Sequence, residues 1–485
     1  MSNIDALKKK TKTGLLWNSF EKISVKVASF ILNIVLARLL TPHDYGVIGL
    51  LSVFIAFSNI FMESGFLKGL IQKKDRTEID FSTTFVFNLV ISIIIYLILF
   101  FLAPVVASFY DNPKLVMFER VLFISIILNA LTIVPSARLQ INIDFKKIAI
   151  INLISIILSG TCGIICAHNG LGPWALIFQN LIYTLSLVFL YWTVGKWIPK
   201  LKFSWDSFNS LFKFSSKLLI TGILSTAILN VYNLFIGKKY DSSSLGYYTR
   251  AQQFPDVTLG TLASVLNSST FPLMSSLQND QSNLFLVFKK MIKLTSMLIF
   301  PSMLGLAAIS NTLIIVLLTD KWTVSAGYLF WLSLSYMFAP LEILNLNLLN
   351  AIGRSDLNLK LDLIKVPIII ISMIITFPIS IKAIVIGKAA FAFIYYLIDC
   401  IVTYHLFKLG PIKQLLWSWK AILSSIIMFL ILIIVNTLMV NENLIKLLMQ
   451  LFIGIAVYCI CMFFLKDEEF ISFVKKFKNK NVILR

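Results

Sequence analysis

Charged residues are scarce in this sequence: they fill 14% of its 485 positions, while 58% are hydrophobic, against the usual quarter of charged residues in a soluble chain. That shortage excludes a water-soluble globular protein. Also missing is any polar stretch long enough for a soluble domain, because apolar runs of about 20 residues recur along the whole length with short polar connections between them. The runs lack the alternation of barrel strands and read as spanning helices. No G-x-x-x-x-G-K-[ST] phosphate loop occurs, which argues against nucleotide hydrolysis in this chain. Cysteine is sparse too. All five (Cys162, Cys166, Cys400, Cys459, Cys461) lie inside apolar runs, and no His or carboxylate stands beside Cys162 and Cys166 to complete a metal site, so they read as small hydrophobes and no metal is expected. The run after "MSNIDALKKKTK" is too long for a signal peptide and has no small-residue cleavage site, so it is expected to stay as the first helix.

What is present is a succession of fourteen runs, near 14–36, 47–66, 84–109, 119–137, 148–168, 174–195, 215–236, 247–272, 291–318, 327–350, 362–379, 384–406, 421–440 and 444–465. Turn chemistry marks several breaks between them: "TPHDYG" at 41–46, "DNP" at 111–113, "HNGLGP" at 168–173 and "DSSSLG" at 241–246.

The formal charge of +20 would suit nucleic acid if the basic residues shared one solvated face. Instead they fall in the gaps between runs. One set of alternating connections, with the two ends of the chain, holds about 30 Lys and Arg, among them Lys8, Lys9, Lys10, Lys73, Lys74, Lys146, Lys147, Lys289, Lys290 and Lys365. The other set holds about seven: Arg38, Lys114, Lys238, Lys239, Lys321, Lys382 and Lys446. By the positive-inside rule both termini are expected in the cytoplasm, and the basic balance needs no nucleic acid to explain it. Six basic residues remain inside the runs: Lys22, Lys26, Arg120, Lys217, Arg250 and Lys388.

A shift of 200 residues lays "NIVLARLLTPHDYG" (33–46) over "NLFIGKKYDSSSLG" (233–246), pairing Asn33 with Asn233, Arg38 with Lys238 and Gly46 with Gly246. Six runs precede the second copy, so the halves have the same orientation, as in a parallel repeat about the membrane normal. The expected division is 1–200 for runs one to six, 201–410 for runs seven to twelve, and 411–485 for the last two runs and a basic tail.

At "TGLLW" (13–17), "LARLLTPHDYGVIGL" (36–50), "SGFLKGLIQKK" (64–74) and "APVVASFY" (103–110) the chain resembles the polysaccharide-transport branch of the multidrug/oligosaccharidyl-lipid/polysaccharide exporter superfamily, the oligosaccharide flippases of the colanic-acid and teichuronic-acid type. Beyond residue 120 the likeness rests on helix count and pattern. The resemblance implies an all-α integral membrane protein with about 14 transmembrane helices: two six-helix lobes in a V around a central cavity, plus two C-terminal helices. It implies a flippase of the bacterial inner membrane that moves polyprenyl-pyrophosphate-linked repeat units to the periplasmic leaflet by alternating access. A polysaccharide polymerase and a chain-length regulator are the partners it suggests. Without the family, "RLLTPHDYG" reads as a hairpin: Pro42 ends the first helix, Asp44 caps the next, and Gly46 permits a close approach.

Charge inside a span costs roughly 2.5–3.5 kcal/mol per residue at the bilayer centre. Lys22, Lys26, Ser29 and Asn33 recur at steps of 4, 3 and 4, along one side of the first helix. Lys217, Asn230 and Asn233 give the seventh a looser stripe. Lys22 and Lys217 are equally readable as snorkelling to the headgroups; Lys26 lies a turn deeper. A stripe facing a wet cavity makes Lys22 and Lys26, with Lys217 and Arg250, the candidates to hold a pyrophosphate, with Glu21, Ser29, Asn33, Asn230 and Asn233 as polar walls. Glu342 and Asp399, well inside their runs, are candidates to couple a sodium or proton gradient, and equally readable as partners of a buried Lys. No cofactor is expected. A drug or cation antiporter of the same superfamily would need a cavity dominated by acids. A polysaccharide polymerase, the enzyme alternative, would need a sizeable outer loop, and the outer connections here are about 5–15 residues long.

Overall fold

The computed structural model describes residues 3–62, 67–73, 75–200, 202–439, 441–472 and 474–475, apart from some side chains within those ranges, that of Lys217 among them. Every regular element among the described residues is a helix. Among the described residues each apolar run read from the sequence falls mainly on helix, the last four residues of the second run (63–66) lying outside them, and ten helical stretches among the described residues are long and apolar enough to cross a membrane. The chain is an all-helical, multi-pass membrane protein.

Two compact units divide it, Met1–Gly246 and Tyr247–Arg485. The first holds α1 (Asn3–Leu39), α2 (Pro42–Met62), α3 (Lys68–Gln72), α4 (Glu78–Phe109), α5 (Leu115–Leu122), α6 (Ile124–Ile141), α7 (Phe145–His168), α8 (Pro173–Gly195), α9 (Trp205–Lys239) and the first turn of α10 (Ser242–Ser276). The second holds the rest of α10, α11 (Gln281–Ala308), α12 (Ser310–Leu318), a single 3-10 turn (Asp320–Trp322), α13 (Thr323–Tyr336), α14 (Ala339–Ala351), α15 (Ser355–Thr376), α16 (Ile381–Phe407), α17 (Pro411–Trp417), α18 (Trp419–Leu438) and α19 (Leu444–Phe464).

Helix α4 shows how lipid reverses the usual pattern. Its exposed face carries Val90, Ile94, Ile98, Phe101 and Val105 at helical spacing, whereas Ser82, Thr83, Thr84, Asn88 and Ser92 are buried. Small and hydroxylated residues let helices approach closely where the surrounding solvent is hydrocarbon. Two of the polar side chains bond to their own helix: Asn88 Nδ2 donates to Thr84 O at 3.0 Å and Ser92 Oγ to Leu89 O at 2.8 Å. At the start of α4, Asp80 accepts from Thr77 N at 2.8 Å in a capping box. The same carboxylate takes the Lys73 ammonium at 2.7 Å and the Ser207 hydroxyl, which fastens α9 to this corner.

The α1–α2 corner follows its sequence. Thr41 N and Oγ1 donate to Asp44 Oδ2 at 2.8 and 2.7 Å, Asp44 N donates back to Thr41 Oγ1 at 3.3 Å, and Pro42 takes the first helical position, where its missing N–H costs nothing. The α9–α10 corner repeats the arrangement 200 residues on: α1 and α9 end at Leu39 and Lys239, α2 and α10 begin at Pro42 and Ser242, and Asp241 Oδ1 caps Ser244 N at 3.0 Å. The two first turns lie against each other. A methyl on Gly46 would overlap the Ser242 carbonyl, and one on Gly246 would overlap the Pro42 carbonyl. The contacts are reciprocal, 46 with 242 and 246 with 42, which is a local two-fold relation between the two first turns.

In the second unit, Phe288, Phe300, Leu344, Leu348 and Tyr396 form the centre of the core. Helices α18 and α19 are bound into it: Ser296 and Ser418 hydroxyls pair at 2.7 Å, and Tyr458 OH donates to Met297 O at 2.8 Å. Lys446, counted in a connection from the sequence, lies instead in α19 and is 1% exposed, with its ammonium 3.0 Å from Glu442 Oε1. Asn311 Nδ2 donates to the same carboxylate at 2.9 Å.

Candidate functional site

Helices α1, α2, α6, α7 and α8 of the first unit enclose a cavity of about 760 Å³. Glu21 and Lys22 enter it from α1, and Asn152 on α7 donates to Glu21 Oε1 at 2.8 Å. Helix α6 contributes Asn129, Thr132, Ser136 and Gln140, and α8 contributes Asn180, Tyr183, Thr184 and Tyr191. The α6 set runs at steps of 3, 4 and 4, and the α8 set falls at 180, 183 and 184, and 191, about one and then two turns on, so each is one face of its helix. The hydroxyls give their protons to their own helices: Thr132 to Asn129 O at 2.8 Å, Ser136 to Ile133 O at 3.0 Å and Thr184 to Asn180 O at 3.1 Å. Their lone pairs are left as acceptors. Among the described residues, Asn180 Oδ1 is buried without a hydrogen-bond partner. Sequence reading followed charge and so passed over these two faces, although a step of 3, 4 and 4 in Asn, Thr, Ser and Gln was there to be read.

The other candidates divide between the units. Lys22 is exposed and lines the cavity; Lys26, one turn on, is exposed and outside its lining. Beside them Ile23, Val27 and Ile31 form an exposed apolar strip, so α1 carries charge and hydrocarbon on adjacent faces. Ser29 and Asn33 are half-buried, and Asn33 Nδ2 donates to Ser29 O at 2.8 Å. On α9, Asn230 Nδ2 donates to Thr226 O at 3.0 Å, and Asn233 Nδ2 reaches Asn230 Oδ1 at 3.5 Å. The Lys217 side chain lies outside the described residues. In the second unit Arg250 is half-buried and donates to Gln253 Oε1 at 2.7 Å. Lys388 donates to Tyr248 OH at 3.0 Å, and Gln252 Nε2 to Tyr336 OH at 3.1 Å. Arg120 lies over the Phe100 ring at 4.1 Å, a cation–π contact within the first unit.

Glu342 and Asp399 are brought together by a residue the sequence tally had put in a connection. Lys365, on α15, holds Asp399 Oδ2 at 2.7 Å and Glu342 Oε2 at 3.1 Å. Asp399 is wholly buried, and among the described residues its Oδ1 has no hydrogen-bond partner. The adjoining α14 face continues with Asn345, whose amide exchanges hydrogen bonds of 3.1 and 3.0 Å with Gln414. A second cavity in this unit, of about 470 Å³ between α10, α11, α18 and α19, is walled mainly by apolar groups such as Met297, Pro301, Met428, Leu432 and Ile455. Its surface matches hydrocarbon, whereas that of the first cavity matches hydrogen-bonding groups.

Residues 35–327 match the family described as "Polysaccharide biosynthesis protein". The chain belongs to that family. The chain is 23% identical over 354 residues to the teichuronic acid biosynthesis protein TuaB of Bacillus subtilis (strain 168), covering 73% of each. It is 23% identical over 377 residues to the lipopolysaccharide biosynthesis protein WzxC of Escherichia coli (strain K12), covering 76% of each. Among solved structures, a lipid II flippase MurJ in an inward closed conformation matches with a TM-score of 0.76 at 19% identity, over 93% of this chain and 99% of that one. The fold is therefore that of this flippase. The polysaccharide-transport branch of the exporter superfamily, to which the motifs of the first quarter point, is the one to which this member of the family belongs.

Proposed function

We propose that the protein flips a polyprenyl-pyrophosphate-linked oligosaccharide from the cytoplasmic to the periplasmic leaflet of a bacterial inner membrane, feeding synthesis of a surface polysaccharide. The observation that carries this reading is a family of polysaccharide proteins joined to a hydrogen-bonding cavity among apolar helices with Lys22 at its wall. Polar side chains within a bilayer are costly unless they face a partner or water, and here they line a cavity large enough for a solute. Lys22 and Lys26 supply point charges for the pyrophosphate, with Lys217 and Arg250 as further candidates. The hydrocarbon tail stays in lipid or along the apolar cavity beside α18 and α19. Two six-helix lobes, related by the 200-residue repeat, would rock to open the substrate path to either side in turn. Two of the acids that a cation antiporter would draw on, Glu342 and Asp399, share Lys365, and Glu21 accepts from Asn152.

Deleting the gene is expected to make lipid-linked repeat units accumulate, and wild-type protein to clear them. A strain that exports its polymer unchanged and accumulates nothing would defeat the proposal. Lys26→Ala, at normal protein level, is expected to lower export several-fold; export at the normal rate would remove Lys26 from the mechanism.

A further inference from the structure

One end of the second unit carries positive charge that its own acids do not answer. Lys289, on α11, has its ammonium 5.8 Å from the centre of the Trp417 ring, and Lys413, on α17, has its own 5.8 Å from that of Phe285. The two rings meet edge to face with centroids 5.5 Å apart, so both lysines stand on one aromatic pair. Every Asp and Glu from position 247 onward is among the described residues, and neither lysine ion-pairs with any of them. Lys290, the next residue along α11, gives the contrast, because its ammonium lies 4.0 Å from Glu469 Oε2. A ring face positions an ammonium group and leaves its charge whole.

Apolar side chains collar this charge. Leu286 on α11, Ile412 and Leu416 on α17, and Trp419 at the start of α18 are 46–74% exposed. Water penalises that apolar surface, and hydrocarbon penalises bare ammonium groups. The boundary between the two suits both, and it is the level at which tryptophan settles in a bilayer. The positive-inside rule assigns Lys289 and Lys413 to the cytoplasmic side, where lipid headgroups carry negative charge. None of these residues lines either cavity, so a molecule bound here lies off any path that a cargo would take through them.

We infer that the elbow between α11 and α17 binds a resident anionic phospholipid, its phosphate against Lys289 and Lys413 and its acyl chains along Leu286, Ile412 and Leu416. Helix α17 is the short connection between α16 and α18, so this lipid fastens the start of the last two long helices to α11. It stays in place and is not the molecule transported; the inference is independent of the flippase reading. Lysine acts as a point charge and does not read headgroup shape. What the site requires is negative charge on a lipid with two chains.

The test uses the full chain in detergent, offered phosphatidylethanolamine, phosphatidylglycerol or water-soluble glycerol phosphate, with the retained lipid counted by native mass spectrometry. One basic residue beside an anionic leaflet is worth a factor of about five, so wild type is expected to retain phosphatidylglycerol over phosphatidylethanolamine by about twentyfold. Lys289→Gln and Lys413→Gln are each expected to lower that preference about fivefold, and the double change to abolish it. Arginine at both positions keeps the charge and is expected to keep the preference. Both side chains lie at the surface, and an unfolding midpoint that phosphatidylglycerol raises in wild type and leaves unmoved in the double Gln variant is the second readout. Wild type with no preference, or a double Gln variant that keeps it or gains the same midpoint shift, overturns the site. Glycerol phosphate that competes as well as phosphatidylglycerol overturns the lipid and leaves a plain anion site.

Discussion

Lys365 lies between two carboxylates that would otherwise face each other in a medium with little water: Asp399 Oδ2 at 2.7 Å and Glu342 Oε2 at 3.1 Å. Removing one partner of such a buried group strands the others, at a typical cost of about 3–5 kcal/mol, far more than the 0–1 kcal/mol of a surface pair. Lys365→Met is therefore expected to lower the unfolding free energy by about 3–5 kcal/mol, read as thermal or denaturant unfolding in detergent. Asp399→Asn alone leaves Glu342 to hold the ammonium and should cost less. The two changes together should fall short of the sum, because the second no longer breaks an intact pair. Additive effects would mean that the residues do not act as a unit. The expectation that Glu342 and Asp399 couple an ion gradient gains a concrete constraint here: any coupling cation must compete with an ammonium already seated on both acids.

At the scale of elements, the first turns of α2 and α10 touch through glycine on both sides, backbone against backbone. Gly46→Ala has no flexible neighbour to displace, and overpacking of this kind costs about 1–3 kcal/mol. Gly327, in α13, has no atom within 4 Å of the place a Cβ would take, so Gly327→Ala is expected to raise stability by roughly 0.5–1 kcal/mol through helix propensity. Opposite shifts of the unfolding midpoint for the two substitutions check the argument, and a neutral Gly46→Ala would contradict it. This corner was legible in the sequence, because Thr41, Pro42, Asp44 and Gly46 each announce a local task. The long helices were legible from hydrophobic length alone. The short α3, α5 and α17 were not, since five to eight residues carry too little periodicity to separate from a connection. Lys365 and Lys446 were assigned to connections because they lie near the ends of apolar runs, and only the fold shows carboxylates waiting for them. The cavity-lining residues of α6 and α8 were passed over because amides and hydroxyls disturb hydropathy far less than charge does.

Over the whole molecule, the distribution of basic residues predicts which surface faces the cytoplasm, and the proposed direction of transport depends on it. About 30 Lys and Arg fall on one side of the sequence's alternating pattern and about seven on the other. Each basic residue near an anionic cytoplasmic leaflet is worth about 1 kcal/mol, so even after discounting those that the structure buries, the difference far exceeds thermal energy. Lys114, between α4 and α5, belongs to the sparse side, and Lys408, between α16 and α17, to the rich one; both are exposed. The five native cysteines are buried or half-buried, which leaves a low labelling background. A membrane-impermeant maleimide added to cells with a permeable outer surface and an intact inner membrane is expected to label Lys114→Cys and not Lys408→Cys. Labelling of Lys408→Cys should appear only once the inner membrane is opened. The reverse pattern would place the termini outside, and the lysines of α1 would then meet a lipid-linked substrate coming from the wrong leaflet.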